Sequence, residues 1–311
     1  AAAFYNSGDM TGAVIGEFAL ADGENTAELA ALDTGAYAEP DAELGIYVWG
    51  SIKSMIPVCG KITLKRSVTV HIIGDSKVCE YYDKSYPQQG WGHYIGEYLI
   101  ASAAVNNRAV SGTSTATYRT GKTPDDPENN YEYWAHLKEN IKAGDYVLID
   151  LAHNDAYAAA DGTRTTIEEY KSNIAGYVDE IRELGAEPVL MSTFPTLRYG
   201  FNNEVLIERG QAMKAVAEEK QTAFLDVNSA ANKIFKGYEL EAAKNAFYMT
   251  NSVLKEVYKL TDEELKSVPN SSIHNNGYDL VHFPENGAKA VCEIMVGELK
   301  NSDSPLASYV K

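Results

Sequence analysis

A serine, a histidine and an aspartate, each in a short polar motif, are the residues of this chain best suited to chemistry. Ser76 follows the apolar run VTVHIIGD, where a strand should give way to a turn. Asp279 and His282 are spaced as D-x-x-H just before a helical pattern. A serine hydroxyl becomes nucleophilic when an oriented histidine takes its proton. This set predicts acyl transfer at Ser76, with His282 as the base and Asp279 as its orienting acid.

Two further motifs supply hydrogen-bond donors for an oxyanion. Gly112 ends a second strand pattern, and Asn154 lies in AHND after a third. The backbone N–H groups of Ser76 and Gly112, with the Asn154 side-chain amide, are predicted to stabilise the charge that develops during acyl transfer. Glycine at 112 lets a backbone amide approach a substrate closely. His153 is expected to support this loop and to lie near the substrate.

Short apolar runs alternate with helical patterns from about residue 67 onward, which is typical of a parallel sheet covered by helices on both faces. The sequence therefore predicts a flavodoxin-like three-layer α/β/α domain with a central five-stranded parallel sheet. Ligands of such sheets bind at the carboxyl ends of the strands, where the four motifs would meet. The predicted strands are 68–73, 105–110, 145–151, 187–193 and 222–227.

The helices between these strands carry recognisable end signals. Thr166 and Glu169 are spaced as a capping box, and Gly185 is placed to end the helix that they begin. The last helix is expected directly after Pro284. The segment 237–278 is longer than a simple connection requires, and its TDEELKS pattern predicts a short capped helix.

Residues 1–66 have a different pattern, with short β-rich runs around a turn signal at residues 22–25. They are predicted to form a few antiparallel strands in an accessory segment, and residues 67–311 to form the catalytic domain. The ADGENT and YVWGSIKSMIPV stretches resemble β-rich segments attached to secreted carbohydrate-active proteins of gut and rumen bacteria. That resemblance implies a secreted or cell-surface setting.

Composition excludes several classes of function. The net charge of −17 opposes binding to phosphate backbones and anionic membrane surfaces, so neither nucleic acid nor a membrane is an expected partner. The chain lacks the glycine-rich and H-E-x-x-H motifs of dehydrogenases, kinases and zinc proteases, and no cofactor or metal is expected. Cys59, Cys79 and Cys292 allow at most one disulfide and are interpreted as small buried side chains.

The four motifs together resemble those of the SGNH hydrolases, also called GDSL-type esterases. Within that family, GDSKV, GWG, NRAVSGTST, GDYVLIDLAHND and DLVHFPENGAKAV are similar to the rhamnogalacturonan acetylesterase branch. The resemblance implies a secreted bacterial or fungal enzyme that removes acetyl esters from plant cell-wall polysaccharides without a metal. Lys77, Ala152 and Leu280 depart from the branch, which usually has threonine, glycine and glycine at these positions.

The expected substrate is an acetylated polysaccharide or oligosaccharide, and the charge slightly favours neutral xylan over pectin. A chain of net charge −17 repels a polyuronate unless its cleft is locally basic, for which Lys77, Arg108 and Arg119 are candidates. Two alternatives remain: a general short-chain esterase and a non-catalytic carbohydrate-binding protein. Four aromatic side chains near the motifs are candidates to stack on sugar rings, namely Trp91, Tyr94, Tyr118 and Trp134.

Overall fold

The computed structural model describes residues 1–6, 9–18, 43–51, 53, 56–82, 85–122, 128–157, 164–201, 203–268 and 270–311. The chain divides into two compact units, Ala1–Val68 and Thr69–Lys311. No helix within the described ranges combines the length and the apolar character needed to cross a membrane.

The first unit contains a four-stranded antiparallel sheet in the spatial order β2-β1-β3-β4. Its strands are β1 (Ala2–Asn6), β2 (Asp9–Val14), β3 (Glu43–Ile46) and β4 (Ile62–Lys65). The expectation of antiparallel strands in this segment is confirmed. The predicted turn at residues 22–25 lies outside the described residues.

The second unit is built on a five-stranded parallel sheet in the order β11-β9-β8-β5-β7. These strands are β5 (Val68–Gly74), β7 (Ala103–Asn107), β8 (Tyr146–Asp150), β9 (Glu187–Met191) and β11 (Ala223–Leu225). The first two strands along the chain pair with each other, and the next three are added on the other side, which is the flavodoxin-like order. The predicted fold class is confirmed.

Eleven helices are found in the described part of the second unit. They are α1 (Thr117–Thr120), α2 (Tyr133–Lys138), α3 (His153–Tyr157), α4 (Ile167–Glu183), α5 (Glu204–Lys220), α6 (Val227–Phe235), α7 (Leu240–Phe247), α8 (Asn251–Glu256), α9 (Asp262–Ser267), α10 (Ser271–Asn276) and α11 (Glu285–Lys300). Both predicted end signals of α4 are present: the Thr166 and Glu169 capping box, and Gly185 at a φ of 74°. The TDEELKS pattern forms α9, which begins with a second capping box.

The core of this unit follows from the two faces of the sheet. Strand β8 is buried at every residue, as expected for a strand covered on both sides. Its alternate residues Val147 and Ile149 pack into one apolar cluster with side chains of α2, α4 and α5. Helix α11 contacts β11, α6 and α7.

Two strand pairs, each of two-residue strands, hold the segment that carries Asp279 and His282. Strand β13 (Tyr278–Asp279) pairs with β12 (Met249–Thr250), and β14 (Phe283–Pro284) pairs with β6 (Gln88–Gln89). The remaining strand, β10 (Arg198–Phe201), lies close to this segment, since the Leu197 N–H donates to the Leu280 carbonyl at 3.0 Å. The D-x-x-H segment is therefore fixed at both ends before α11 begins.

Candidate active site

The turn after β5 presents Ser76 at the carboxyl edge of the sheet. Gly74 pairs with Asp150 in the register of β5 and β8, so both strands end at the same level. The Asp75 carbonyl accepts from the N–H groups of Val78 and Cys79 at 3.0 and 3.2 Å. This tight turn places Ser76 beside the loop that leaves β8.

Ser76, His282 and Asp279 form one hydrogen-bonded row. The Ser76 Oγ lies 2.9 Å from His282 Nε2, and His282 Nδ1 lies 2.7 Å from Asp279 Oδ2. With the ring proton on Nδ1, His282 donates to the carboxylate and accepts from the serine hydroxyl. This arrangement can remove the hydroxyl proton as the serine attacks a carbonyl carbon.

The electrostatics of the row favour a charged histidine intermediate. Burial lowers the pKa of His282, but the adjacent Asp279 carboxylate and the more distant Asp75 outweigh it, so this pKa lies above its ordinary value. Burial raises the pKa of Asp279, and His282 together with the hydrogen bonds from Asn270 and Val281 reverses that effect and holds it far below its ordinary value. Asp279 is therefore anionic when His282 takes the serine proton, and it stabilises the positive charge of the ring.

The predicted oxyanion donors surround the same cavity, which has a volume of about 230 Å³ and is lined by Ser76, Ser111, Gly112, His153, Asn154, Arg198, Ser272, Asp279, Val281 and His282. Gly112 has a φ of 79°, a left-handed conformation that a residue with a Cβ adopts only with strain. Asn154 donates one amide hydrogen to the Thr113 carbonyl at 2.9 Å, which orients its Nδ2 group and leaves the second hydrogen available. A carbonyl oxygen in this cavity would have donors near it.

Asp155, the last residue of AHND, stabilises the loop that follows Gly112. Its carboxylate accepts from the backbone and hydroxyl of Thr115 and from the hydroxyl of Thr165. His153 is buried, only 8% exposed. Burial and the nearby cations Lys77, His282 and Arg198 hold the pKa of the His153 ring well below its ordinary value, so this ring is neutral.

A buried lysine lies beneath the nucleophile. Lys77 has no exposed surface, and its Nζ donates to the Phe194 carbonyl at 2.9 Å. Burial lowers its pKa, and the buried carboxylates Asp75 and Asp150 oppose that shift. Burial raises the pKa of Asp150 to about 6, although Lys77 counteracts part of this effect. Lys77, Asp75 and Asp150 are thus buried titratable groups that shift one another's pKa.

The expectation that aromatic rings near the motifs stack on sugar is wrong for three of them. Trp91, Tyr118 and Trp134 are at most 2% exposed. Their polar atoms are also used inside the protein: Trp91 Nε1 donates to Asp150 at 3.0 Å, and Tyr118 donates its hydroxyl to the Arg108 carbonyl at 2.7 Å. Aromatic type alone does not separate a core ring from a binding ring. Tyr94 is half-buried.

The three expected basic residues do not face this cavity. Lys77 is buried, Arg119 pairs with Glu180 at 2.7 Å, and Arg108 lines a different cavity. The cation that lines the cavity of Ser76 is Arg198, which the sequence analysis missed. Its local sequence carries no signal, because its proximity to the site arises from the pairing of Leu197 with Leu280.

The α7–α10 segment, residues 248–276 from the end of α7 through α10, also contributes to the site, through Asn270 and Ser272. Asn270 donates to Asp279 Oδ2 at 2.6 Å, and Ser272 lines the cavity. A signal existed for Asn270, since asparagine followed by a short helical pattern is typical of an N-cap. That signal predicts a helix start and gives no indication of contact with Asp279.

The model of the GDSL-like lipase/acylhydrolase family matches residues 72–250, more than half of the chain. The chain belongs to this family. The resemblance inferred from the motifs is therefore confirmed, and the chain is an ester hydrolase of GDSL type.

The individual relatives of this GDSL-type hydrolase have low sequence identity to it. It is 25% identical over 251 residues to the rhamnogalacturonan acetylesterase RhgT of Bacillus subtilis, which covers 79% of this chain and 96% of the relative. It is 24% identical over 247 residues to the probable rhamnogalacturonan acetylesterase YesY of the same organism, with 78% and 96% covered. The solved structure of a catalytic mutant of Axe2, an acetylxylan esterase from Geobacillus stearothermophilus, matches with a TM-score of 0.52 and 16% identity, over 76% of this chain and 95% of Axe2. The last match supports the fold only.

The three cysteines are free thiols. Cys79 and Cys292 are buried, as expected for small apolar side chains, whereas Cys59 is exposed and does not fit that interpretation.

Proposed function

We propose that this hydrolase removes O-acetyl groups from plant cell-wall polysaccharides through an acyl-enzyme on Ser76. The observation that carries the proposal is the continuous hydrogen-bonded row from Ser76 through His282 to Asp279, in a cavity at the carboxyl edge of the sheet. Two relatives are named as an acetylesterase and a probable acetylesterase, and the match covers 96% of each. They support acetyl as the acyl group that this hydrolase removes.

The reaction has two steps. His282 takes the hydroxyl proton while Ser76 Oγ attacks the acetyl carbonyl carbon, and the tetrahedral oxyanion is stabilised by the N–H groups of Ser76 and Gly112 and by the Asn154 amide. The sugar oxygen then leaves with the proton from His282, so that the acetyl group is bound to Ser76. Water, deprotonated by the same histidine, releases acetate and restores the serine.

The charge of the protein indicates which polysaccharide it hydrolyses. The net charge of −17 favours a neutral acetylated xylan, because a polyuronate is repelled at long range. Arg198 favours the second candidate, an acidic acetylated pectin, since it lines the cavity and its guanidinium group makes no hydrogen bond or ion pair with any residue that the structure describes. A guanidinium group in that position suits a sugar carboxylate.

Acetate release from acetylated xylan and from acetylated rhamnogalacturonan, measured side by side, tests the proposal. We expect release from at least one polymer and its loss in Ser76→Ala, while the exposed Ser252→Ala on α8 serves as the matched control and keeps the full rate. Arg198→Gln separates the polymers, because it should weaken hydrolysis of the acidic one only.

Three outcomes would contradict the proposal. Hydrolysis of phenyl acetate without release from either polymer would indicate a general short-chain esterase. Binding of polysaccharide with no hydrolysis of any ester would indicate a carbohydrate-binding protein. Full activity in Ser76→Ala would contradict the assignment of the nucleophile.

We further propose that residues 67–311 form the catalytic domain and residues 1–66 an accessory segment, and that the protein acts outside a bacterial cell. Its substrate is a polymer too large to enter cells, which supports an extracellular setting.

A further inference from the structure

The carboxylate of Asp279 is held on both of its oxygens. Oδ1 accepts from the backbone N–H groups of Val281 and His282 at 2.8 and 3.2 Å. Oδ2 accepts from His282 Nδ1 at 2.7 Å and from Asn270 Nδ2 at 2.6 Å. Among the described residues, Asn270 is the one donor to this carboxylate from outside the D-x-x-H segment.

Asn270 is itself fixed by the helix that it begins. Its Oδ1 accepts from the backbone N–H groups of Ser272 and Ile273 at 3.0 and 3.3 Å, which caps α10. A flipped amide would direct its NH₂ group at these two donors and its oxygen at Asp279, so one orientation alone satisfies both ends. The side chain therefore connects α10 rigidly to the carboxylate.

This contact is largely shielded from water. Asp279 is only 4% exposed, so a lost donor would leave Oδ2 with a single partner in a buried position. The carboxylate could then turn away from the histidine ring, because the two backbone donors hold only Oδ1. Orientation of Asp279 toward His282 thus depends on a residue of the α7–α10 segment.

We propose that Asn270 is a positioning residue of the esterase reaction: it holds Asp279 in the plane that keeps the His282 ring aimed at Ser76. This inference rests on the proposed function. It makes the α7–α10 segment, which the fold does not need to complete its sheet, a part of the catalytic apparatus.

Asn270→Ser separates the two roles of this side chain, because serine still caps a helix but is too short to reach the carboxylate. We expect kcat on phenyl acetate to fall about tenfold or more, the effect of losing a hydrogen bond to a charged group, with KM within about twofold. The protein should stay folded, with a melting temperature only a few degrees lower, because serine keeps the cap of α10. Asn275→Ser, an exposed substitution in the same helix, should leave both constants unchanged.

A double-mutant cycle with Asp279→Ala shows whether Asn270 acts through the carboxylate. Without Asp279, Asn270→Ser should cause almost no further loss of kcat, so that the two effects are strongly non-additive. In proton NMR spectra, the His282 Nδ1 proton should exchange with solvent faster in Asn270→Ser than in the unmodified protein. Additive effects, or an unmodified kcat and exchange rate in Asn270→Ser, would overturn the inference.

These outcomes are distinguishable from a failure of the proposed function. Absence of ester hydrolysis by the unmodified protein would contradict the esterase itself, and the NMR exchange rate would still report on the contact between Asn270 and Asp279. Normal hydrolysis by both the unmodified protein and Asn270→Ser would contradict only the role of Asn270, and the esterase would stand.

Discussion

His282 lies between a serine hydroxyl and a carboxylate, and its titration should govern the rate. Only the neutral ring accepts the serine proton, so the rate should rise with pH through the pKa of His282. Because the neighbouring carboxylates raise this pKa, we expect the midpoint of kcat/KM for phenyl acetate to lie above pH 6.5. Acetate release at constant ionic strength measures it.

Asp279→Asn provides the control for this pH profile. The substitution removes the charge that raises the pKa of His282 and leaves the burial that lowers it, so the residual activity should have its midpoint at a lower pH. A profile that is flat between pH 5 and 8, or a midpoint below pH 6.5 in the unmodified protein, would contradict His282 as the base.

Lys77 is expected to matter for stability. Lys77→Met leaves the Phe194 carbonyl without its donor and removes the cation that interacts with the buried Asp75 and Asp150, so the free energy of unfolding should fall by roughly 1–3 kcal/mol. Urea denaturation measures the change. Lys214→Met, on the exposed face of α5, is the matched control, and its effect should stay within about 0.5 kcal/mol. Equal stability of the two variants would contradict this account.

Sequence reasoning at the residue scale depended on local pattern. Ser76, Asp279 and His282 could be singled out because each lies in a short motif next to a strand or helix, and the structure brings the three together. Arg198 and Asn270 could not, since each enters the site through a contact made across the fold. Nor could residue type indicate that Trp91 is a core side chain.

At the scale of elements, α11 fixes the histidine that precedes it. Gly287 packs against the end of α7, where an added Cβ would overlap the backbone carbonyl of Phe247. Gly287→Ala should therefore lower the free energy of unfolding by roughly 1–3 kcal/mol, the usual cost of overpacking, and should lower kcat by displacing His282. Thermal unfolding and ester hydrolysis measure the two effects.

The same helix offers a matched control. A Cβ at Gly297 would meet no atom within 4 Å, so Gly297→Ala should raise stability by about 0.5–1 kcal/mol through helix propensity. If both substitutions stabilised the protein, the packing of α11 against α7 would be wrong.

Elements were predicted well where their signals were local. The capping box at Thr166 and the TDEELKS pattern located the starts of α4 and α9, and the apolar runs located the strands. Strand ends were less accurate: the run 187–193 forms a strand only over Glu187–Met191. The last two residues of that run, Ser192 and Thr193, are buried like the strand but lie in the loop that leads to Phe194.

At the scale of the whole molecule, the proposed division at residue 66 can be tested by truncation. A chain of residues 67–311 retains all five parallel strands and every residue of the candidate site. We expect it to hydrolyse phenyl acetate with an unchanged kcat and to melt as a single cooperative transition. Loss of hydrolysis in a folded truncated chain would contradict an accessory role for residues 1–66. Calorimetry and acetate release are the measurements.

The hydrogen bond between Ser76 and His282 joins residues that are 206 positions apart in the chain. A ribosome that has made the nucleophile must still make four of the five parallel strands and the α7–α10 segment before the base is available. During synthesis, or during refolding from denaturant, ester hydrolysis should therefore be the last property to appear, later than the secondary structure of the sheet. The enzyme is therefore inactive as a hydrolase until its fold is nearly complete.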